Sequence, residues 1–211
     1  MSNMPPPPRD RPASRPAIPT TTALIAGPAA SSHRDVWADD IQIHGRIAEG
    51  RSVSFTTADL CDRHEAGVRV VAPGFRDYGG LPCFSGPIAT VKVHEDNSQV
   101  RAALETPGEG RVLVVDGGGS LCCALVGDVL AGLAHRNGWA GLLVYGCIRD
   151  SEAIACVAIG LKALGTHPRK SVKKGAGDRD LPVTFSGVTF APGDHLYADR
   201  DGIVVASERL L

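Results

Sequence analysis

Two acidic residues and one arginine are the side chains most able to support chemistry on a small anion. They are Asp128 and the adjacent pair Arg149 and Asp150. Two carboxylates can hold a hard divalent cation, and a guanidinium can bind a substrate carboxylate. The alternative is structural: a surface ion pair between Arg149 and Asp150, with Asp128 as a solvated helix acid. Spacing alone favours the structural interpretation. Whether the three residues can form a site depends on the helices and strands that carry them.

A strand–helix–strand unit is predicted to position the three residues. The segments RVLVV and GLLVYG are typical of buried strands, and a long helix is predicted between them over about residues 121–137. The predicted helix and the second strand span similar distances in opposite directions, so the chain returns to the edge of the sheet from which it left. A right-handed unit then brings Gly127 and Asp128 close to residues 146–150. Free amides at a helix start would add an anion-binding group there.

A glycine-rich loop, DGGGS, follows the first of these strands. It fails the dinucleotide-binding pattern, because Cys122 stands where the third glycine is required and no acid lies between residues 129 and 148 to hold a ribose. A looser, methyltransferase-like glycine loop stays open as an alternative. We expect the glycines to let the backbone approach the site, with Asp116 either supporting the site from behind or capping the turn.

The other segments predict short helices and strands separated by Gly and Pro turns. TTADLCDRHEAG predicts a helix with a threonine cap, Asn97 is expected to cap a second helix, and a third starts near Ser151. GVRVVAP, GPIATVKVHE and most of the last third predict strands. We therefore predict one α/β domain with a mixed sheet.

The N-terminal part differs from the rest in composition. Residues 1–34 hold eight of the fifteen prolines, four arginines and one acid, a mixture typical of disorder. An organelle transit peptide is the alternative, but the PPPP run disfavours its amphipathic helix. We predict a largely disordered extension over residues 1–50 and a domain over residues 51–211.

Composition excludes several function classes. The 211 residues carry a net charge of −1, with 43% hydrophobic, 21% charged and 5% aromatic residues. This is not the composition of a general nucleic-acid binder. No apolar run approaches the length of a membrane span. We expect a soluble, cytoplasmic protein, with organellar targeting left open.

The six cysteines form no CxxC pair, so we expect reduced, mostly buried thiols. Cys122 and Cys123 could be a redox pair, but small apolar residues inside a helix are the favoured interpretation. His135 and His195 could shuttle protons, although packed or surface roles are more common for single histidines. A basic run could bind a second substrate carboxylate or an acidic partner, although a solvated face is favoured; it comprises Lys162, Arg169, Lys170, Lys173 and Lys174.

Four segments resemble one known family. They are VLVVDGGGSLCCALVGDVLAGLA, GWAGLLVYGCIRD, IGLKALGTHPRKS and VTFSGVTFAPGDHLYADRDGIVV. The chain, over about residues 56–206, is similar to the family that contains the regulator of ribonuclease E activity A and the 4-hydroxy-4-methyl-2-oxoglutarate aldolases. Enzymatic members carry an Asp, twenty intervening residues and Arg-Asp, whereas the bacterial regulators lack the last acid. Here that pattern is intact at Asp128, Arg149 and Asp150.

The resemblance implies a fold, a site and an assembly. The fold would be a compact α/β domain with stacked mixed β layers flanked by helices, of the swivelling phosphohistidine-like type. Backbone amides of Gly127, Asp128, Val129 and Leu130 would hold the pyruvyl carboxylate, Arg149 would contact the substrate and Asp150 would bind the metal. The assembly would be a homotrimer, or a hexamer, with sites at subunit interfaces. Some members use a glutamate from a neighbour's C-terminal extension, and Glu208 cannot be matched to it.

The implied activity is retro-aldol cleavage of a 2-keto acid to pyruvate. Mg²⁺ or Mn²⁺ would act as a Lewis acid with Arg149 beside it, and Asp128 would relay the proton, with no Schiff-base lysine. The same chemistry would allow oxaloacetate decarboxylation. The alternative is a non-catalytic regulator that binds an RNA-degrading enzyme or RNA helicase. The substrate stays open among 4-hydroxy-4-methyl-2-oxoglutarate, 4-carboxy-4-hydroxy-2-oxoadipate and oxaloacetate.

Overall fold

Residues 55–211 and the backbone of two short paired strands before them are described by the structure, a computed structural model. In this part of the chain the helices are α1 (Thr57–Arg63), α2 (Ser98–Leu104), α3 (Asp128–Arg136) and α4 (Ser151–Ala155). The strands are β1 (Gly45–Arg46), β2 (Ser52–Val53), β3 (Val68–Val70), β4 (Arg76–Asp77), β5 (Phe84–Lys92), β6 (Val112–Asp116), β7 (Ala124–Val126), β8 (Gly141–Ile148), β9 (Gly160–Thr166), β10 (Asp178–Arg179), β11 (Val183–Phe185), β12 (Val188–Phe190), β13 (His195–Ala198) and β14 (Ile203–Ala206).

One long strand, β5, connects two parts of a large mixed sheet. Strand β5 pairs antiparallel with β13 through its first half and parallel with β6 through its second half. On one side the order continues through β14 to β3, all antiparallel; on the other, β6, β8 and β9 are parallel and β4 closes the edge. The carboxyl ends of β6, β7 and β8 therefore lie at the same edge, where α3 and α4 begin.

Two hydrophobic cores lie on opposite faces of the parallel strands. In β6 the side chains alternate: Leu113 and Val115 pack toward α2 and α3, while Val112 and Val114 pack toward β11 to β14. Burial on both faces explains why this strand is a continuous apolar run. A smaller core packs α1 against β13 and β14.

These layers confirm the predicted fold class, an α/β domain with stacked mixed β layers flanked by helices. Within the described residues, no helix is long and apolar enough to cross a membrane. The predicted extension over residues 1–50 lies outside the part described here, apart from the backbone of β1, and its boundary stays a prediction.

The prediction of a long helix from residue 121 was wrong for the first two turns of that helix. The chain forms the short strand β7 there, and α3 begins only at Asp128. A short apolar run fits a buried strand as well as a helix, and parallel pairing with β8 decides between them. Cys122 and Cys123 are therefore not helical: both are free thiols, Cys122 exposed and Cys123 buried.

The predicted helix caps have mixed outcomes. Thr56 caps α1 as expected, because its side chain accepts a hydrogen bond from the Asp59 amide at 3.0 Å. Asn97 stands at the N-cap position of α2 as expected, but its side chain makes no capping hydrogen bond, and its side-chain amide donates instead to the Leu125 carbonyl at 3.1 Å. The carboxylate of Asp96 takes over the capping role and accepts from the Ser98 amide at 2.8 Å.

Candidate functional site

The start of α3 forms one wall of the candidate site. Gly127 is the last extended residue before the helix, and its carbonyl accepts hydrogen bonds from the amides of Leu130 and Ala131 at 3.1 and 3.0 Å. The backbone amides of Asp128 and Val129 have no carbonyl partner within the helix, because the first amides of a helix have no preceding turn to donate to. Val129 is 60% exposed and Leu130 is buried, so this first turn lies at the protein surface. Its free amides and the helix dipole favour an anion.

The end of β8 forms the opposite wall and carries the charged pair. The Arg149 amide donates to the Val126 carbonyl at 2.9 Å, which fastens the end of β8 to β7. Asp150 then adopts a left-handed backbone conformation, with φ 58° and ψ 39°, immediately before α4. Aspartate is one of the few non-glycine residues that enter this region readily. The Nε of Arg149 lies 3.2 Å from Oδ2 of Asp150, and both side chains are 39% exposed.

Gly127 permits the close approach of the two walls. A Cβ atom added at this position would lie 2.8 Å from Asp150 Oδ2 and 3.3 Å from Arg149 Nε. The first distance is shorter than van der Waals contact allows, so any larger residue would displace the charged pair. Asp128, Arg149 and Asp150 line one open cavity of about 660 Å³ with the first residues of α4.

A second cavity of about 140 Å³ adjoins the first and shares Asp128 and Arg149 with it. Gly127, Val129 and Leu130 line this second cavity. The structure thus brings all the sequence-predicted site residues together around two adjacent cavities. Their chemical roles stay predictions.

Some lining residues of the second cavity were missed by the sequence analysis. Asn97, Arg101 and Ser171 lie far from the predicted motif in sequence, and for Lys170 and Lys173 a solvated basic face was favoured over a role in binding a carboxylate or an acidic partner. Two isolated β-bridges bring these segments to the cavity: Asp96 pairs with Val172, and Ala124 pairs with Lys170. No local pattern in the sequence signals such single-residue pairings.

The site's donor set fits a partly hydrated magnesium or manganese ion. Among the described residues, no group of three or more His, Cys, Asp or Glu side chains could enclose a metal. That excludes a closed protein cage in this part of the chain. Mg²⁺ commonly uses one or two carboxylates and takes its other ligands from waters and the substrate. Asp150, with Asp128 lining the same cavity, fits that second pattern.

The two histidines considered as proton shuttles lie apart from this cavity. His135 is exposed in the last turn of α3, at the opposite end from Asp128. His195 lines a separate cavity of about 250 Å³ with Tyr197 and Arg209. Burial lowers the pKa of His195, and Arg209 lowers it further, against the raising effect of Asp194. Neither histidine lines the cavity that holds the charged pair.

The expected solvated basic run is wrong for Lys162. Its side chain is 3% exposed, and its ammonium lies 2.7 Å from Asp77 Oδ1, because β9 and β4 place the two residues opposite each other. Arg169, Lys170, Lys173 and Lys174 are exposed, as predicted, on residues 169–176, which we name the basic strap.

The glycine loop after β6 is a tight packing turn. A Cβ on Gly117 would lie 2.5 Å from the Leu125 side chain and 2.7 Å from the Tyr145 carbonyl oxygen. Gly118 has φ of +66°, and its amide donates to Asp116 Oδ1 at 2.9 Å. Of the two roles considered for Asp116, the structure shows turn capping. The loop's glycines let it pack against β8, and none of the loop residues lines either cavity, so the expectation that these glycines bring the backbone to the site was wrong.

Comparison with known proteins gives consistent matches over the described domain. A family model described as RraA-like, Aldolase/RraA, matches residues 57–205. A protein of Aromatoleum aromaticum, whose name proposes a 4-hydroxy-4-methyl-2-oxoglutarate aldolase, is 62% identical over 159 residues, which are 75% of this chain and 100% of that protein.

Two solved structures are also similar. One, described as an S-adenosylmethionine: 2-dimethylmenaquinone methyltransferase from Geobacillus kaustophilus, has a TM-score of 0.73 and 52% identity and covers 74% of this chain and 97% of its own. The other, described as the RNA-processing inhibitor RraA from Thermus thermophilis, has a TM-score of 0.73 and 43% identity, with coverage of 75% and 96%.

Proposed function

The chain belongs to the RraA-like family, and we propose that it is a divalent-metal-dependent aldolase that cleaves 4-hydroxy-4-methyl-2-oxoglutarate-type 2-keto acids to pyruvate. One observation carries the proposal: Asp128, Arg149 and Asp150 line a single open cavity beside the free amides of α3. An arginine and helix-start amides bind a carboxylate, and two carboxylates supply a cation site and a proton acceptor.

Substrate binding begins with the pyruvyl carboxylate. Arg149 and the amides of Asp128 and Val129 provide donors from two walls that are fixed to each other through the hydrogen bond between Arg149 and Val126. Because these donors are in place before the substrate arrives, little ordering is needed on binding. This arrangement orients the keto group toward Asp150.

Asp150, with Asp128 nearby, would hold Mg²⁺ or Mn²⁺. When bound, the ion supplies Lewis-acid stabilisation of the charge that develops on the keto oxygen. Arg149 adds a fixed positive charge at the same place.

Asp128 acts as the proton relay. Its carboxylate accepts the proton of the substrate's hydroxyl group while the adjacent carbon–carbon bond breaks and leaves its electron pair on the pyruvyl methylene carbon. Asp128 then returns that proton to the methylene carbon, which becomes the methyl group of pyruvate, and the other fragment leaves as a carbonyl compound. The same stabilisation of charge would support oxaloacetate decarboxylation as a side activity.

The experiment measures pyruvate release with and without Mg²⁺ for the parent protein and for Asp150→Asn. Asparagine tolerates the left-handed backbone as aspartate does, so the change removes the charge without disturbing the turn. We expect the metal-dependent kcat to fall about 100-fold or more. Asp62→Asn, an exposed change on α1, is the matched control and should keep full activity. A parent protein without metal-dependent release of pyruvate would contradict the proposal.

A regulatory role is the second candidate. The observation that favours it is the 43% identical structure described as an RNA-processing inhibitor. In that case the parent would release no pyruvate and would bind an RNA-degrading enzyme or helicase, with Asp150→Asn binding equally well. A methyltransferase role, which the name of the 52% identical structure raises, draws no support from the tightly packed glycine loop.

A further inference from the structure

We propose that Glu152 determines substrate specificity, because its carboxylate lies beside the half of the substrate that leaves and disfavours additional negative charge there. The inference rests on the proposed function and deepens it. It selects a 2-keto acid whose leaving half carries one carboxylate, such as 4-hydroxy-4-methyl-2-oxoglutarate, over one whose leaving half carries two, such as 4-carboxy-4-hydroxy-2-oxoadipate. Glu152 lies in the first turn of α4 and lines the larger cavity with Arg149 and Asp150.

The two cavities divide the substrate between them. The second cavity lies at the start of α3, where the amides of Asp128 and Val129 hold the pyruvyl carboxylate in the proposed reaction. A water molecule takes up about 30 Å³ in the liquid, so a volume of about 140 Å³ corresponds to roughly five waters. The pyruvyl carboxylate and its neighbouring carbons fill that space. The leaving half therefore extends into the larger cavity of about 660 Å³, which α4 borders.

Charge is distributed unequally between the two cavities. The lining of the second cavity has four cationic side chains and one carboxylate, those of Arg101, Arg149, Lys170, Lys173 and Asp128. The larger cavity shares Arg149 and Asp128, and its other two charged residues are the acids Asp150 and Glu152. A divalent cation together with Arg149 balances these three carboxylates. The larger cavity therefore offers no excess positive charge to carboxylates of the leaving half, and Glu152 is the reason.

The carboxylate of Glu152 is available to act on a ligand. The side chain is exposed, and within the described part of the chain it forms no salt bridge. The Cys156 thiol donates to the backbone carbonyl of Glu152 at 3.5 Å and leaves the carboxylate untouched. The neighbouring lining residues of α4, Ser151 and Ala153, are uncharged and do not offset it.

Two other roles for Glu152 make different predictions. Among the described residues, no three acids converge on one metal position, so Glu152 does not complete a cage with Asp128 and Asp150. An acid in the first turn of a helix also interacts favourably with the helix dipole. That interaction stabilises α4 equally whichever substrate is bound. An effect that depends on the charge of the substrate therefore identifies the specificity role.

The kinetic test compares the two substrates named above at saturating Mg²⁺. Glu152→Gln should raise the ratio of kcat/KM for 4-carboxy-4-hydroxy-2-oxoadipate to kcat/KM for 4-hydroxy-4-methyl-2-oxoglutarate about 3-fold to 5-fold, a modest change because water in the open cavity screens the charges. Glu152→Lys reverses the charge and should raise the ratio about 10-fold or more. Both changes should shrink in about 0.5 M salt. Glu65→Gln, an exposed change in the turn after α1, is the matched control. An unchanged ratio in both Glu152 variants would overturn the inference.

A binding test separates this inference from the proposed reaction. Calorimetry with Mg²⁺ compares 2-oxoglutarate, which has a far carboxylate, with 2-oxopentanoate, which ends in a methyl group; neither has the hydroxyl that retro-aldol cleavage needs. Glu152→Gln should tighten binding of 2-oxoglutarate about 3-fold to 5-fold more than binding of 2-oxopentanoate. A selective gain in a protein that releases no pyruvate would overturn the aldolase and keep the role of Glu152. Pyruvate release with equal changes for both ligands would keep the aldolase and overturn that role.

Mg²⁺ binding by the variants tests whether Glu152 is itself a metal ligand. Losing one nearby charge should weaken Mg²⁺ binding by Glu152→Gln about 10-fold, because the ion carries two charges. Asp150→Asn, which removes the proposed ligand, should weaken it about 100-fold or more. Calorimetry with MgCl₂ alone measures both. An equal loss in the two variants would place Glu152 on the cation and overturn the specificity role.

Discussion

Gly127 sets the spacing of the charged pair. Its backbone is extended, so alanine could adopt the same conformation, and the requirement for glycine comes from the neighbouring side chains alone. The atoms it would meet are the ends of two flexible side chains, Arg149 and Asp150, which can move away without disturbing the fold. A methyl group at this position therefore tests the geometry of the site separately from its stability.

We expect Gly127→Ala to lower kcat/KM for pyruvate release about 10-fold or more, because a displaced charged pair misplaces the substrate. The free energy of unfolding should change by less than about 1 kcal/mol. Steady-state kinetics and thermal unfolding check the two expectations. Gly132→Ala, inside the adjoining helix α3, is the control: it should add roughly 0.5–1 kcal/mol of stability and leave activity unchanged. Full activity in Gly127→Ala would contradict this account of the site.

At the scale of elements, an ion pair between a buried lysine and a partly exposed aspartate joins the edge strand β4 to β9. Lys162 is buried and meets Asp77 across the two strands, whereas Asp77 is about one-third exposed. Removing one member of such a pair leaves the other charge without compensation, and replacing both with apolar residues costs much less. We therefore expect the ion pair to contribute to the register of β4 against β9.

We expect Asp77→Ala to lower the free energy of unfolding by roughly 2 kcal/mol, less than for a fully buried pair because Asp77 is partly exposed. The double variant Asp77→Ala with Lys162→Met should be more stable than the single one. Urea denaturation of these two variants and of Lys162→Met alone, each against the parent, measures this. Arg63→Ala, which breaks an exposed pair with Asp59 at 3.7 Å, should cost less than about 1 kcal/mol. Simple additivity of the two changes at β4 and β9 would disprove the coupling.

At the scale of the whole molecule, Asp96, in the loop after β5, joins the start of α2 to the basic strap. Burial raises the pKa of Asp96, but hydrogen bonds from Ser98, Lys174 and Ala176 outweigh burial and bring the pKa from 3.8 to about 2. A carboxyl whose pKa is lower in the folded protein than in the unfolded chain stabilises the fold above the unfolded value. That contribution is lost as the pH falls from about 4 toward 2.

We therefore expect Asp96→Asn to lose about 2 kcal/mol of stability at neutral pH, where the charged hydrogen bonds are intact in the parent. As the pH falls from about 5 toward 2, the difference in the free energy of unfolding between parent and variant should shrink. Protonation of Asp96 removes from the parent the stabilisation that the variant already lacks. Urea denaturation across this pH range measures the effect. Asp62→Asn should follow the parent at every pH. A constant difference between parent and Asp96→Asn would show that the carboxylate charge is not the cause.

The open side of the larger cavity bears on how subunits assemble. Together with the aldolase we propose a homotrimer or hexamer with sites at subunit interfaces, as the family resemblance implies. The larger cavity is open on one side and is lined by exposed residues of α4, which leaves room for a neighbouring subunit to complete it.

The sequence by itself determined the fold class, most of the strands and the proximity of Asp128 to Arg149 and Asp150. These depend on local properties: apolar periodicity, turn residues and the fixed rise of helices and strands, which together return the chain to one edge of the sheet. The mixed order of helices and strands was enough to predict the layered architecture.

The tertiary structure alone decided where α3 begins, that Lys162 is buried and that the basic strap lines a second cavity. Each depends on pairing between segments that are distant or ambiguous in sequence: β7 with β8, β4 with β9, and single bridges from Ala124 and Asp96 to the strap. Such contacts form because the packed chain satisfies backbone hydrogen bonds and buried charges over long distances, and local residue patterns do not encode which distant partner will do so.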